Sequence, residues 1–254
     1  ALEADGGMLA QEARLRDAFG AWWAAHESFL CALPCAGRLT ALRAELLDSF
    51  ARALAPVGLL DRFKVDGVIA SWWNESQYDL KTLAAQGFEG LVDGWVATIR
   101  AALEEGNEAR NGARFNPLDH RLVVRLLPGY LDELSAAEAA KVELESRLEA
   151  GKKDDGEEDD EAEPENGDGE ELSEAELKAL KRDLAQARKT FQTLQKQFAA
   201  CLGQASAALS DEQCRRLVLE IARDDLAAHL ERYVAAHRRQ VIAAVESWWD
   251  KYRV

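Results

Sequence analysis

Seven residues, Leu177, Leu180, Leu184, Ala187, Phe191, Leu194 and Phe198, recur at alternating spacings of three and four along one tract. That repeat constrains the chain more than anything else in it. A stripe of this period has a single face only on an α-helix, and the face must be covered by a second helix. A weaker version, Leu131, Leu134, Ala137, Leu144 and Leu148, precedes it and is interrupted by Lys141. The two tracts, 119–150 and 172–202, have similar lengths, which at 1.5 Å per residue is about 45 Å each. They predict an antiparallel helical hairpin with Leu180, Leu184, Phe191 and Leu194 buried against the Leu131–Leu148 arm. Pro128–Gly129 should kink the first arm near its base.

Elsewhere Val and Ile are sparse, alternation is rare, and Ala, Leu, Glu and Arg dominate, which favours helix. Helices are expected over 14–29, over 40–54, through Trp73, from Asn74 to a stop at Gly87, and over 88–103. Ser210 reads as the N-cap of a last helical tract, continuous or bent near Asp224–Asp225. The expected fold class is all-α: a helical body with a long antiparallel coiled-coil hairpin that carries an acidic disordered tip. The expected division is a body at 1–115 with the Trp-rich stretch, the hairpin at 116–202, and a C-terminal segment at 203–254. That last segment should pack back on the body or on a partner subunit.

Between the hairpin tracts, Lys152 to Glu171 holds twelve acids and two lysines, a net of −10 out of −15 for the chain. Such a run cannot bury enough apolar surface to offset its ordering entropy, so disorder is expected. The remaining −5 is ordinary. No stretch of eighteen apolar residues occurs, and the start lacks a secretory pattern, so no membrane span and a cytoplasmic location are expected. Both ends read as cuts in a longer chain. Cys31, Cys35, Cys201 and Cys214 form no CxxC pair, consistent with reduced cysteines.

Catalytic signatures are missing. No phosphate-binding loop, HExxH or GxSxG occurs. "RFNPLDH", Arg114 to His120, departs from the Asn-Pro-Pro-aromatic motif of adenine-N6 methyltransferases at Leu118 and Asp119. Asn116 before Pro117 reads instead as a helix start. His229 and His237 are about 12 Å apart by helical rise alone, too far to share a metal. No catalytic, cofactor-binding or metal-ligating residue is expected.

Tryptophan is concentrated in short runs: Trp22–Trp23, Trp72–Trp73 with Trp95, and Trp248–Trp249. Adjacent residues on a helix sit about 100° apart, so one of each pair can face inward while the other lies at a boundary. The runs read as core first and partner interface second. Trp72, Trp73, Tyr78, Trp95, Trp248, Trp249 and Tyr252 are the candidate interface residues, since Trp and Tyr carry interface energy and tolerate half-burial.

The string "LLDRFKVDGVIASWWNESQYDLKTLAAQGFEGLVDGWVATI", Leu59 to Ile99, resembles the C-terminal region of the modification (DNA methylase) subunits of type I restriction–modification systems. "NPLDHRLVVRLLPGYLDEL", from Asn116, and the tract from Leu209 to Val254 look like the following segments of the same subunits. The resemblance covers Leu39 onwards and rests on family strings, not catalytic motifs. It implies a preceding adenine-N6 methyltransferase domain that uses S-adenosylmethionine. No residue of that domain's cofactor loop or catalytic motif can be carried onto this sequence. The implied partners are the DNA-specificity subunit, the restriction subunit, and DNA through the assembled complex. The implied role is docking the specificity subunit and supporting closure around DNA. The alternative is a free-standing coiled-coil scaffold.

Overall fold

The computed structural model describes residues 5–36, 38–104, 116–153 and 174–253. Among them every regular element is helical and no strand occurs, so the fold is all-α. The acidic run from 154 onwards and the Gly/Asn-rich stretch 105–115 lie outside the described residues, and with them the expected disordered tip.

Helix α1 (Gly6–Cys31) starts where Asp5 accepts a hydrogen bond from the Met8 amide at 2.9 Å. A short α2 (Leu33–Ala36) leads to α3 (Leu39–Leu54), which buries Leu42, Leu46, Phe50 and Leu54 as its spacing predicts. Pro56 sits in a 3-10 turn, and Gly58 closes it with φ 79°. Helix α4 spans Arg62–Glu104, broken only at Gly87, whose φ 75°, ψ −173° is open essentially to glycine alone. Across that break the Trp95 indole donates to Asp79 Oδ1 at 3.0 Å. The expected boundary at Asn74 is absent. The stretch reaches Gln86 as one helix, because Trp72, Trp73, Ser76 and Leu80 are buried along it and tertiary burial overrides the local capping signal.

After a 3-10 turn at Pro117–Asp119 come α5 (Arg121–Leu126), α6 (Pro128–Lys153), α7 (Glu174–Ala207) and α8 (Asp211–Tyr252). Asn116 does cap the chain ahead of Pro117, accepting from the Leu118 amide at 3.2 Å, but it opens only that single turn. Pro128 ends α5 instead of kinking a continuous arm. It lacks an N–H and restricts Leu127 before it, which adopts φ −127°, ψ 43°. The two arms are therefore unequal, 26 and 34 residues.

Two compact units result: Ala1–Ala97 with Leu209–Val254, and Thr98–Ala208. The C-terminal segment, from Leu209 onwards, is grouped with the body. In the first unit α8 is grouped with α1, α3 and most of α4, around a core that includes Leu15, Phe19, Trp22, Phe50, Ile69, Trp72, Leu226 and Leu230. The Trp22 indole donates to Ser49 Oγ at 3.0 Å and lies edge-on to Phe50.

In the second unit α6 and α7 run antiparallel. Tyr130 donates its hydroxyl to the Leu194 carbonyl, Lys141 sits over the Phe191 ring at 4.6 Å, and Arg188 pairs with Glu145 at 2.8 Å. Lys141, the polar interruption of the first seam, thus lays its charge on an aromatic face of the second. Burial along the seam is uneven. Leu134, Leu184 and Phe198 are buried, whereas Leu180, Phe191 and Leu194 are half-buried. Two helices alone cannot enclose every seam residue. Complete burial is found near the base, where α5 contributes Leu122 and Val123 and α7 contributes Leu202.

Leu184→Ala is expected to lower stability by about 2–3 kcal/mol, and Leu180→Ala by less than half of that, because only Leu184 leaves a cavity enclosed by its neighbours. Urea denaturation of the two variants checks the ranking.

Candidate interaction surface on the last helix

Helix α8 begins with a reciprocal cap. Ser210 Oγ accepts from the Gln213 amide, and Gln213 Oε1 accepts from the Ser210 amide at 2.8 Å. With Asp211 and Glu212 in the first turn, where the helix dipole favours negative charge, the start is well determined. The helix then runs unbroken through Asp224–Asp225.

Three contacts from α4 hold it. The Trp72 indole donates to the Ala222 carbonyl at 3.1 Å. Gly67 lies against Tyr233, where a Cβ would come within 2.7 Å of the phenolic oxygen, so the close approach requires glycine. Buried His229 bridges Arg232 and Glu75: one guanidinium nitrogen lies 2.7 Å from Nδ1 and 3.0 Å from Nε2, and Nε2 is 3.0 Å from Glu75 Oε2.

Helix α1 holds α8 by charge. Glu12 is only 1% exposed. Arg238 donates to both of its oxygens, through Nε at 2.8 Å and through a terminal nitrogen. Arg16 stands 3.5 Å from the same carboxylate and also forks onto Glu231, at 2.6 and 3.0 Å. The Arg16 hydrogen bond, against an opposing contribution from burial, holds the Glu231 carboxyl below its ordinary value. Near the start of α8, Glu89 is pushed the other way, chiefly by its hydrogen bond with Asp211.

Beyond Arg238, toward the end of α8, Val245, Trp248, Trp249 and Tyr252 form a stripe at i, i+3, i+4 and i+7. With Arg253 they line an open surface depression. Trp248, Trp249 and Tyr252 are 65%, 68% and 70% exposed. Lys251 Nζ lies 5.5 Å from the Tyr252 ring centre.

The residues singled out from sequence therefore separate into three groups. Trp72, Trp73 and Trp95 are buried core residues and are withdrawn from any docking surface: each lies on a stretch of α4 covered from more than one side, and the Trp72 and Trp95 indoles are hydrogen-bonded internally. Tyr78 is exposed on α4, with Lys81 Nζ 4.9 Å from its ring centre. Only Trp248, Trp249 and Tyr252 share one exposed patch. Sequence reasoning missed Val245 and Arg253 beside them, although the helical spacing from Tyr252 back to Val245 was available as a signal. It also missed Glu12, whose position one turn ahead of Leu15 and Arg16 marked a carboxylate at the edge of an apolar face.

Among the described residues no group of three or more side chains is arranged to hold a metal ion, and no described helix is long and apolar enough to cross a membrane. No family model, curated protein or solved structure matches the chain.

Arg238→Ala leaves the buried Glu12 carboxylate with Arg16 alone beside it and is expected to lower the melting temperature, whereas Glu12→Leu combined with Arg238→Leu should be near neutral. Thermal melts of the three proteins check this. Stability gained from the lowered Glu231 value is present above the ordinary glutamate range and is lost as pH falls through the folded-state value. Glu231→Gln should accordingly flatten the acid limb of the stability profile.

Proposed function

We propose that this chain is a non-catalytic subunit-interaction region of a type I restriction–modification DNA adenine-N6 methyltransferase, working in the cytoplasm. It docks the DNA-specificity subunit through the end of α8 and helps the assembled complex close around DNA. The observation that carries the docking is the exposed aromatic cluster of Trp248, Trp249 and Tyr252, with half-buried Val245 completing the stripe. Two tryptophans and a tyrosine on adjoining positions of one helix are the residue types that dominate binding energy at protein interfaces. The identity of the partner is supported by the resemblance of Leu59–Ile99 and of the tract from Leu209 to the modification subunits. The parent enzyme would carry S-adenosylmethionine in a separate domain, and the restriction subunit would join through the same complex.

The test is capture of the cognate specificity subunit by immobilised chain. Trp248→Ala with Trp249→Ala should weaken capture at least 30-fold, since one interface hot spot is worth about 2 kcal/mol or more. Undiminished capture by the double variant removes the stripe from the interface. No capture by the unaltered chain favours the free-standing scaffold. Calorimetric titration of the chain with S-adenosylmethionine should give no saturable heat, and micromolar binding would overturn the non-catalytic reading.

A further inference from the structure

The stripe at the end of α8 has a symmetry that its docking role does not require. An i, i+3, i+4, i+7 pattern reads the same in both directions, so an antiparallel copy sets Val245 against Tyr252 and Trp248 against Trp249. We propose that in the absence of another partner the free chain covers this stripe with a second copy of itself, the two α8 ends crossing antiparallel about a two-fold axis.

Charge agrees with this occupant. Turning along α8, Glu246, Asp250 and Arg253 lie on one flank of the stripe, while Ser247 and Lys251 lie on the other. In an antiparallel pair each flank meets its own counterpart. In this register Glu246 lies between the levels of Asp250 and Arg253 of the second copy; Arg253 is the nearer of the two to the stripe, so Glu246 pairs with Arg253, twice over by symmetry. Lys251 faces Ser247, so no like-charged pair falls on that side. Among the described residues neither Glu246 nor Arg253 has an ion-pair partner within its own chain.

The area available sets the strength. A fully buried aromatic side chain hides about 150–250 Å². Three aromatics about two-thirds exposed on each copy give a total of roughly 800 Å². That lies below the size of stable specific interfaces and matches a transient one. The dimer should therefore form in the micromolar range. It competes with any partner that takes the same stripe, so the free subunit keeps this aromatic surface covered until that partner arrives.

Sedimentation velocity of the full chain across a micromolar concentration series tests this. Concentration-dependent dimerisation is expected. Trp248→Ala with Trp249→Ala should weaken it at least 30-fold while circular dichroism stays unchanged. Arg253→Glu should weaken it several-fold, and adding Glu246→Arg to Arg253→Glu should restore it to within about twofold of the unaltered chain. A chain that stays monomeric throughout, or a dimer indifferent to both tryptophans, overturns the proposal. Failure of the charge swap to rescue overturns the antiparallel arrangement. The proposal does not rest on the identity of the docking partner: capture of the specificity subunit by a strictly monomeric chain sinks the self-pairing and leaves the docking reading standing.

Discussion

A carboxylate buried beside an apolar core has to be neutralised where it stands, and at Glu12 that requirement fixes how the first and last helices meet. Arg238 reaches both oxygens and Arg16 stands beside them. A slip of one residue would turn Arg238 about 100° away and strand the charge. The leucine and valine contacts nearby are more tolerant, since apolar surfaces accept neighbouring registers at small cost. Charge therefore does for α1 and α8 what apolar packing alone does loosely: it selects one alignment. The Arg16–Glu231 fork reinforces the same pairing of the two helices.

Three Trp-Trp pairs meet different fates for a related reason. Trp22–Trp23 and Trp72–Trp73 are buried at both positions, although adjacent residues diverge by about 100°. That is achieved only where a helix is covered from two directions, as α1 is by α3 and α8. Trp248–Trp249 is exposed at both positions because that part of α8 has no helix beside it among the described residues. The pair motif thus carries no fixed role. The number of neighbouring helices at its level assigns it to core or to surface.

In the hairpin unit the same accounting explains the seam. A heptad repeat specifies which residues face the partner helix, and the pairing of Tyr130, Lys141 and Glu145 with Leu194, Phe191 and Arg188 agrees with it. It does not specify how completely they are enclosed. Leu184 is buried and Leu180 is not, although both sit on the seam. Where α5 adds a third layer, Leu122, Val123 and Leu202 lose all contact with solvent.

Taken by itself, the sequence determined the properties set by near neighbours along the chain. These are the all-helical class, the glycine break at Gly87, the Ser210 cap, the apolar faces of α3 and α7, and the aromatic character of the end of α8. Periodicity and capping act over one to four residues, so a reader of the string has all the terms. Tertiary structure alone decided the rest. It joined α8 to α1 across more than two hundred residues through Glu12 and Arg238. It also overrode the Asn74 boundary and chose which tryptophans are core and which are surface. Those outcomes depend on distant residues being brought to the same level of the fold, and no local pattern encodes which helix will lie alongside.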